Sequence, residues 1–89
     1  MTHQEWIEKL TQEGYKEITV CPNAPNATFP EHTHHEPTVH IILEGEFTLT
    51  EKGRSITHKV GDRFEIPAGT AHTAMCGPTG CTFIVGIKE

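Results

Sequence analysis

Histidine is concentrated where the chain could bind a metal ion. Four of the seven histidines lie between positions 32 and 40, and His32 and His34 are separated by one residue. In an extended strand such a pair points to the same side, with backbones about 7 Å apart. A third, His72, follows much later, in the stretch GDRFEIPAGTAHTAMC. Because neutral imidazole is a common ligand of divalent transition metals, we predict that these three rings hold one Fe, Mn, Ni, Zn or Cu ion.

Rings from distant parts of a chain can converge only if the intervening segments fold back on one another. A helix is predicted over residues 1–14, where Trp6, Ile7 and Leu10 have helical spacing and Gly14 suits a helix end. Beyond it, short alternating segments are separated by Gly, Pro and Asn. We place strands at 15–20, 27–34, 38–43, 46–51, 54–60, 63–66, 71–76 and 81–87. The prediction is a single domain over 1–89, with an antiparallel β-barrel or sandwich over 15–89.

Two motifs carry a resemblance to a known family. The first reads Asn26, His32-Thr-His34, Thr38 and Gly45, and the second reads Gly61, Pro67-Ala-Gly69, His72 and Cys76. The chain resembles the cupins, whose first motif contains Gly, His-x-His, Glu and Gly and whose second contains Gly, Pro-x-Gly, His and Asn. The second motif matches at every position except the last. The resemblance implies an all-β, double-stranded β-helix, the jelly-roll barrel of the cupins, with a divalent metal inside.

The match fails at the fourth metal ligand. The family's glutamate falls on Thr38, whose hydroxyl is a poor donor to a divalent ion. His40 lies two residues further on the same face of the strand, and we predict it as the fourth ligand. Alternatively, His40 contacts the substrate or supports the metal ligands without binding the metal itself. Glu36 is another candidate ligand, although it adjoins Pro37 in a turn.

A substrate pocket is expected beside the metal, because apolar side chains on the inward faces would exclude water from it. We predict that it includes Thr38, Phe47, Phe64, Cys76 and Phe83.

The remaining histidines and cysteines have simpler interpretations. His3, His35 and His58 are predicted to lie at the surface. Cys76 and Cys81 flank a four-residue turn and could pair, but the simpler interpretation is two buried thiols.

Composition excludes several classes of partner. The 7 Lys and Arg against 12 Asp and Glu give a net charge of -5, which opposes binding to nucleic acid. The sequence shows neither a signal peptide nor an apolar stretch of membrane-spanning length. Three cysteines, an odd number without a regular spacing, favour a reducing compartment. A cytoplasmic protein without a membrane partner is the expectation.

The strand TVHIIL bears on assembly. Val39, Ile41 and Leu43 share one face of it, and that face is too apolar to be left in water. The N-terminal helix could cover part of it. A second copy of so small a domain would cover more, so we predict a homodimer.

Three functional hypotheses follow. By resemblance to small metal-dependent cupins, the chain is an enzyme of dioxygenase or isomerase/lyase type that acts on a small organic molecule. It could instead be a non-catalytic module that binds a small ligand or a metal. In the third hypothesis the metal only stabilises an undersized core.

Overall fold

The computed structural model describes residues 1–88, and it leaves Glu89 and the side chain of His32 outside that description. One helix, α1 (His3–Gln12), precedes the strands. The strands are β1 (Tyr15–Asn23), β2 (Thr28–His32), β3 (Thr38–Glu51), β4 (Arg54–Lys59), β5 (Arg63–Ile66) and β6 (His72–Lys88). The predicted fold class, an antiparallel all-β jelly roll with a short N-terminal helix, is confirmed.

Strands β3 and β6 pair with each other along almost their whole length and organise the fold. The first half of β3 and the second half of β6 are flanked by β5 and β1. The second half of β3 is flanked by β4, and the first half of β6 is flanked by β2. Two four-stranded sheets therefore face each other. One apolar cluster between them takes residues from both sheets, namely Ile42, Phe47, Leu49, Ile66, Ala74, Cys76, Cys81 and Phe83.

The predicted breaks within β3 and within β6 are wrong. Each strand bends and continues where the sequence predicted a turn at Glu44-Gly45 and at residues 77–80. Gly45 adopts a positive φ of 74°, and the β3–β6 register shifts on either side of it. Glycine takes this conformation without a Cβ clash, so β3 changes sheets while its ladder with β6 continues.

Helix α1 covers the apolar face from which the homodimer was predicted. Val39 and Ile41 are fully buried on it, and Leu10 of the helix belongs to the same cluster. Trp6 and Leu43 pack against this cluster. Most of this apolar surface is thus removed from water within one chain. The homodimer stays a prediction, but the apolar face from which it was predicted is largely buried within one chain.

An ion pair fastens the end of α1 to β5. Arg63 Nη1 donates to Glu13 Oε2 over 2.9 Å, and its Nη2 donates to the other carboxylate oxygen. The same guanidinium reaches Glu65, whose Oε1 accepts a hydrogen bond from Tyr15 Oη over 2.9 Å. A bidentate pair has the geometry in which arginine binds carboxylates most strongly.

Replacing Glu13 by glutamine is expected to lower the melting temperature by an amount that depends on pH. The hydrogen bonds from Arg63 lower the pKa of Glu13 from its usual 4.5 to about 2. A carboxylate with a depressed folded-state pKa contributes stability above its unfolded pKa, and this is lost as the pH falls through the folded value. The difference between wild type and Glu13→Gln should therefore narrow as the pH falls from 4.5 towards 2. Melts followed by circular dichroism test this, with Glu8→Gln on the same helix as control, and an unchanged difference would contradict it.

Cys76 and Cys81 form a disulfide, so the simpler interpretation as two thiols is wrong. The bend of β6 turns both residues into the core, with their Cα atoms 5.6 Å apart, a separation at which a disulfide can form. Cys21 remains as a thiol.

Thiol titration of the denatured protein, purified without reductant, should therefore find one thiol per chain and three after reduction. Cross-linking so short a loop contributes about 2 kcal/mol in the chain-entropy account, so Cys81→Ser should lower the free energy of unfolding by about that amount. Three thiols before reduction would contradict the pairing.

Candidate metal centre

A cavity of about 190 Å³ lies between the two sheets. Six of its lining residues are apolar: Phe29, Phe47, Leu49, Ile66, Ala74 and Phe83. The other three are His34, His40 and His72. Three of the four histidines predicted as ligands therefore line one cavity, although they come from different parts of the chain.

The rings of His34 and His72 are in contact. Their centroids lie 5.2 Å apart and their planes make an angle of 27°. Two imidazoles bound to one tetrahedral ion through nitrogens at about 2.1 Å have ring centroids about 5 Å apart. The observed separation therefore fits a pair of ligands that share an ion. His34 follows the end of β2 and His72 opens β6, so the β2–β6 pairing sets this contact.

A backbone contact orients the ring of His72. Its Nδ1 lies 3.1 Å from the carbonyl oxygen of Thr70. Since a carbonyl oxygen only accepts hydrogen bonds, Nδ1 is the donor in this contact. Metal-binding histidines commonly donate their second ring nitrogen to a carbonyl in this way.

His32 lies opposite His72 in the β2–β6 register, so its backbone is adjacent to the ring pair. Its side chain lies outside the described residues, and its predicted role as a ligand stays a prediction. Among the side chains that are described, no group of three His, Cys, Asp or Glu is close enough to hold an ion. A complete site built from His34 and His72 therefore requires His32 or a movement of His40.

His40 is surrounded by phenyl rings. The residue is 7% exposed, and its ring lies parallel to that of Phe64, with 5.0 Å between centroids and an angle of 4°. Phe83 and Phe47 are 5.2 Å and 6.1 Å from it. These contacts place His40 in the aromatic wall of the cavity, which favours the alternative role of contacting a substrate.

Of the predicted pocket residues, only Phe47 and Phe83 line the cavity; Thr38, Phe64 and Cys76 are not part of its wall. Thr38 is buried, and its hydroxyl oxygen has no hydrogen-bond partner among the described atoms. Phe64 lies behind His40, and Cys76 lies in the core near the bend.

Glu36, the other candidate ligand, is at the surface. Its side chain is 44% exposed and its carboxylate lies 4.0 Å from Lys16 Nζ. The structure therefore does not bring Glu36 to the ring pair.

The prediction that His58 lies at the surface is wrong. Its side chain is 14% exposed and stacks on Phe64, with 3.8 Å between ring centroids. Burial lowers the pKa of His58, against the opposing effect of Asp62. The β3–β4 register explains the burial, because His58 lies directly opposite Phe47 and so shares its inward face.

Phe29 and Ala74 line the cavity and were not predicted to do so. Ala74 lies two residues after His72 on the same strand, and this spacing alone would have identified it. Phe29 lies three residues before His32, which simple alternation would place on the opposite face. The β2–β6 register shifts between these two residues, and Phe29 lies opposite Ala74, which also lines the cavity.

The profile of the cupin domain family matches residues 22–85. The chain is a cupin. Among solved structures, it is similar to an RmlC-like cupin and a cupin-2 domain containing protein, both from Shewanella frigidimarina, and a cupin 2 conserved barrel domain protein from Salinispora arenicola. The sequence identities to these three are 28%, 22% and 26%, and each TM-score is 0.71.

Matched segments cover 79%, 81% and 81% of this cupin and 62%, 69% and 61% of the respective relatives. The chain thus spans less than two thirds of the first and third. A comparison with curated proteins gives no significant match. Within residues 1–88, no helix combines the length and hydropathy that crossing a membrane requires.

Proposed function

We propose that this cupin binds one divalent transition metal ion, Fe, Mn, Ni, Zn or Cu, in its cavity and acts on a small organic molecule held beside it. His34 and His72 are the two ligands whose arrangement supports this best, and we assign His32 as the third. The contact between the His34 and His72 rings carries the proposal. His40 stays a candidate fourth ligand, and its phenyl neighbours favour a contact with the substrate instead.

A bound divalent ion would polarise an oxygen-bearing substrate and stabilise negative charge that develops on it. The chain's own side chains have other tasks. Thr70 holds the His72 ring through its carbonyl, and Phe47 and Phe83 exclude water from the cavity that holds the substrate. Among the described lining residues only imidazoles can carry a proton, so His40 is the group to which we assign proton transfer. Dioxygenase and isomerase/lyase chemistry are the reaction types that we propose.

A non-catalytic cupin that binds a small ligand is the second candidate. It is favoured by the described lining residues, which include no Asp, Glu, Lys or Tyr. Catalysis predicts turnover that disappears in His40→Ala while metal is retained. The binding module predicts ligand affinity in both proteins and turnover in neither.

If the metal only stabilises the core, the expected result is different. A chelator should then lower the melting temperature, and the protein should have no affinity for a small ligand.

Measuring the metal content tests whether the contact between the His34 and His72 rings is a metal site or a coincidental contact. Untagged protein, purified without added metal or chelator and passed through gel filtration, should contain about one metal ion per chain by elemental analysis. His34→Ala should lose that metal. His35→Ala is the matched control, because the neighbouring ring is exposed, and it should retain the metal. Equal metal contents in the two variants would refute the assignment of His34 as a ligand.

A further inference from the structure

We propose that the ligand of this cavity is a compact molecule with one apolar body, the size of a single ring, and one oxygen-bearing head group. The inference rests on the proposed metal site for the head group alone. The body is inferred from the cavity, whose volume, lining and charge each restrict what can enter.

Volume sets the size of the ligand. Pockets for drug-sized molecules measure about 300–1,000 Å³, whereas an apolar cavity of about 150 Å³ in another protein accommodates benzene. At about 190 Å³, this cavity has room for one ring and a few further atoms. Disaccharides and nucleotides are too large to be enclosed by it.

The lining sets the chemistry of the body. Phe29, Phe47 and Phe83 form a cluster of rings, with centroids 5.7 Å apart for the first pair and 5.1 Å apart for Phe47 and Phe83. Both pairs are edge-to-face, the arrangement in which aromatic rings also receive a further ring favourably. Leu49, Ile66 and Ala74 complete the apolar wall.

The absence of charge restricts the ligand to one polar end. None of the described lining residues is Asp, Glu, Lys or Arg. A second charge on the ligand, or the hydroxyl groups of a sugar, would lose water there without gaining partners. All polar atoms of the described lining side chains belong to the three histidines, so the head group must lie against them and the body against the phenyl rings.

The contribution of the apolar body to affinity can be measured with three α-hydroxy acids that share one head group. They are mandelate, lactate and malate, whose side groups are phenyl, methyl and carboxymethyl respectively. Each is titrated into zinc-loaded protein by calorimetry at one pH and salt concentration. Mandelate should bind at least about tenfold more tightly than lactate, since even one methylene in an apolar pocket can contribute that factor. Malate should bind no more tightly than lactate.

Two variants locate the effect. Ala74→Leu adds bulk to the cavity wall and should remove the advantage of mandelate over lactate. Met75→Leu changes the neighbouring side chain, which is 48% exposed on the outer face, and should preserve that advantage. Zinc content and melting temperature show whether each variant is folded and loaded. If Ala74→Leu does not fold, the three ligands on the wild type decide alone.

The outcomes distinguish the inference from the proposed function. Equal affinities for the three acids, preference for malate, or no binding to zinc-loaded protein would each overturn the inference while the metal site stands. Failure to retain zinc or any of the other proposed metals would refute the proposed function instead. In that case toluene, which has the ring without the head, is titrated into the metal-free protein by NMR. Shifts at Phe29, Phe47 and Phe83 would support the apolar body, and no shifts would refute it.

Discussion

His72→Ala should abolish stoichiometric metal binding, with a loss in affinity of at least about a hundredfold. The substitution removes the ring that contacts His34 and whose Nδ1 lies 3.1 Å from the Thr70 carbonyl. Loss of even an orienting contact outside the ligands typically reduces metal affinity by about 10- to 100-fold, so loss of a ligand should have at least this effect. Competition with a chromogenic chelator measures the affinity.

His3→Ala is the control for this experiment, since that ring is exposed on α1. Circular dichroism spectra should show that both variants are folded. Metal affinity in His72→Ala equal to that of the control would contradict the account.

Gly45→Ala should destabilise the fold by more than about 4 kcal/mol, a range in which single substitutions are exceptional. Gly45 has φ +74°, and a Cβ there would collide with the carbonyl oxygen of Gly80 on β6. Both groups belong to the backbone at the bend where β3 changes sheets, so neither can move without disturbing the ladder. For a domain of ordinary stability, about 5–15 kcal/mol, the loss is severe.

Gly53→Ala distinguishes the cost of the Cβ collision from the cost of the positive-φ backbone conformation. Gly53 has nearly the same φ, +75°, but a Cβ there would meet no atom within 4 Å. It should lose only the conformational term, about 1–2 kcal/mol. Urea denaturation of the two variants measures the difference. Equal losses at the two positions would show that the close approach to Gly80 is not a constraint.

Alternation along the strand predicted over 38–43 placed His40 towards the interior, and His40 lines the cavity. His34 lies beyond the end of β2, and His72 was identified from the second motif.

Alternation also predicted Phe47 and Phe83 as lining residues. Alternation succeeds at Phe47 and Phe83 because the side-chain period within a regular strand is two. Phe64, which was predicted in the same way, packs against His40 and does not line the cavity. The cupin motifs added the fold, which the family match confirms.

Features that depend on pairing between strands could not be read from the sequence. Continuity of β3 through Gly45 depends on the ladder with β6, which local turn signals do not reveal. The orientation of Phe29 depends on a shift in register, and the burial of His58 depends on its position opposite Phe47. The pairing of Cys76 with Cys81 depends on the bend of β6. In each case a contact between strands, or across the bend of one strand, overrides the local pattern.

The X-ray absorption spectrum of the zinc-loaded protein at the zinc K-edge tests the central claim most directly. The account predicts at least three nitrogen donors at about 2.0–2.1 Å, with the outer-shell scattering of imidazole rings. A shell of oxygen atoms alone, or sulfur donors from cysteine, would contradict the assignment of the histidines as the metal site.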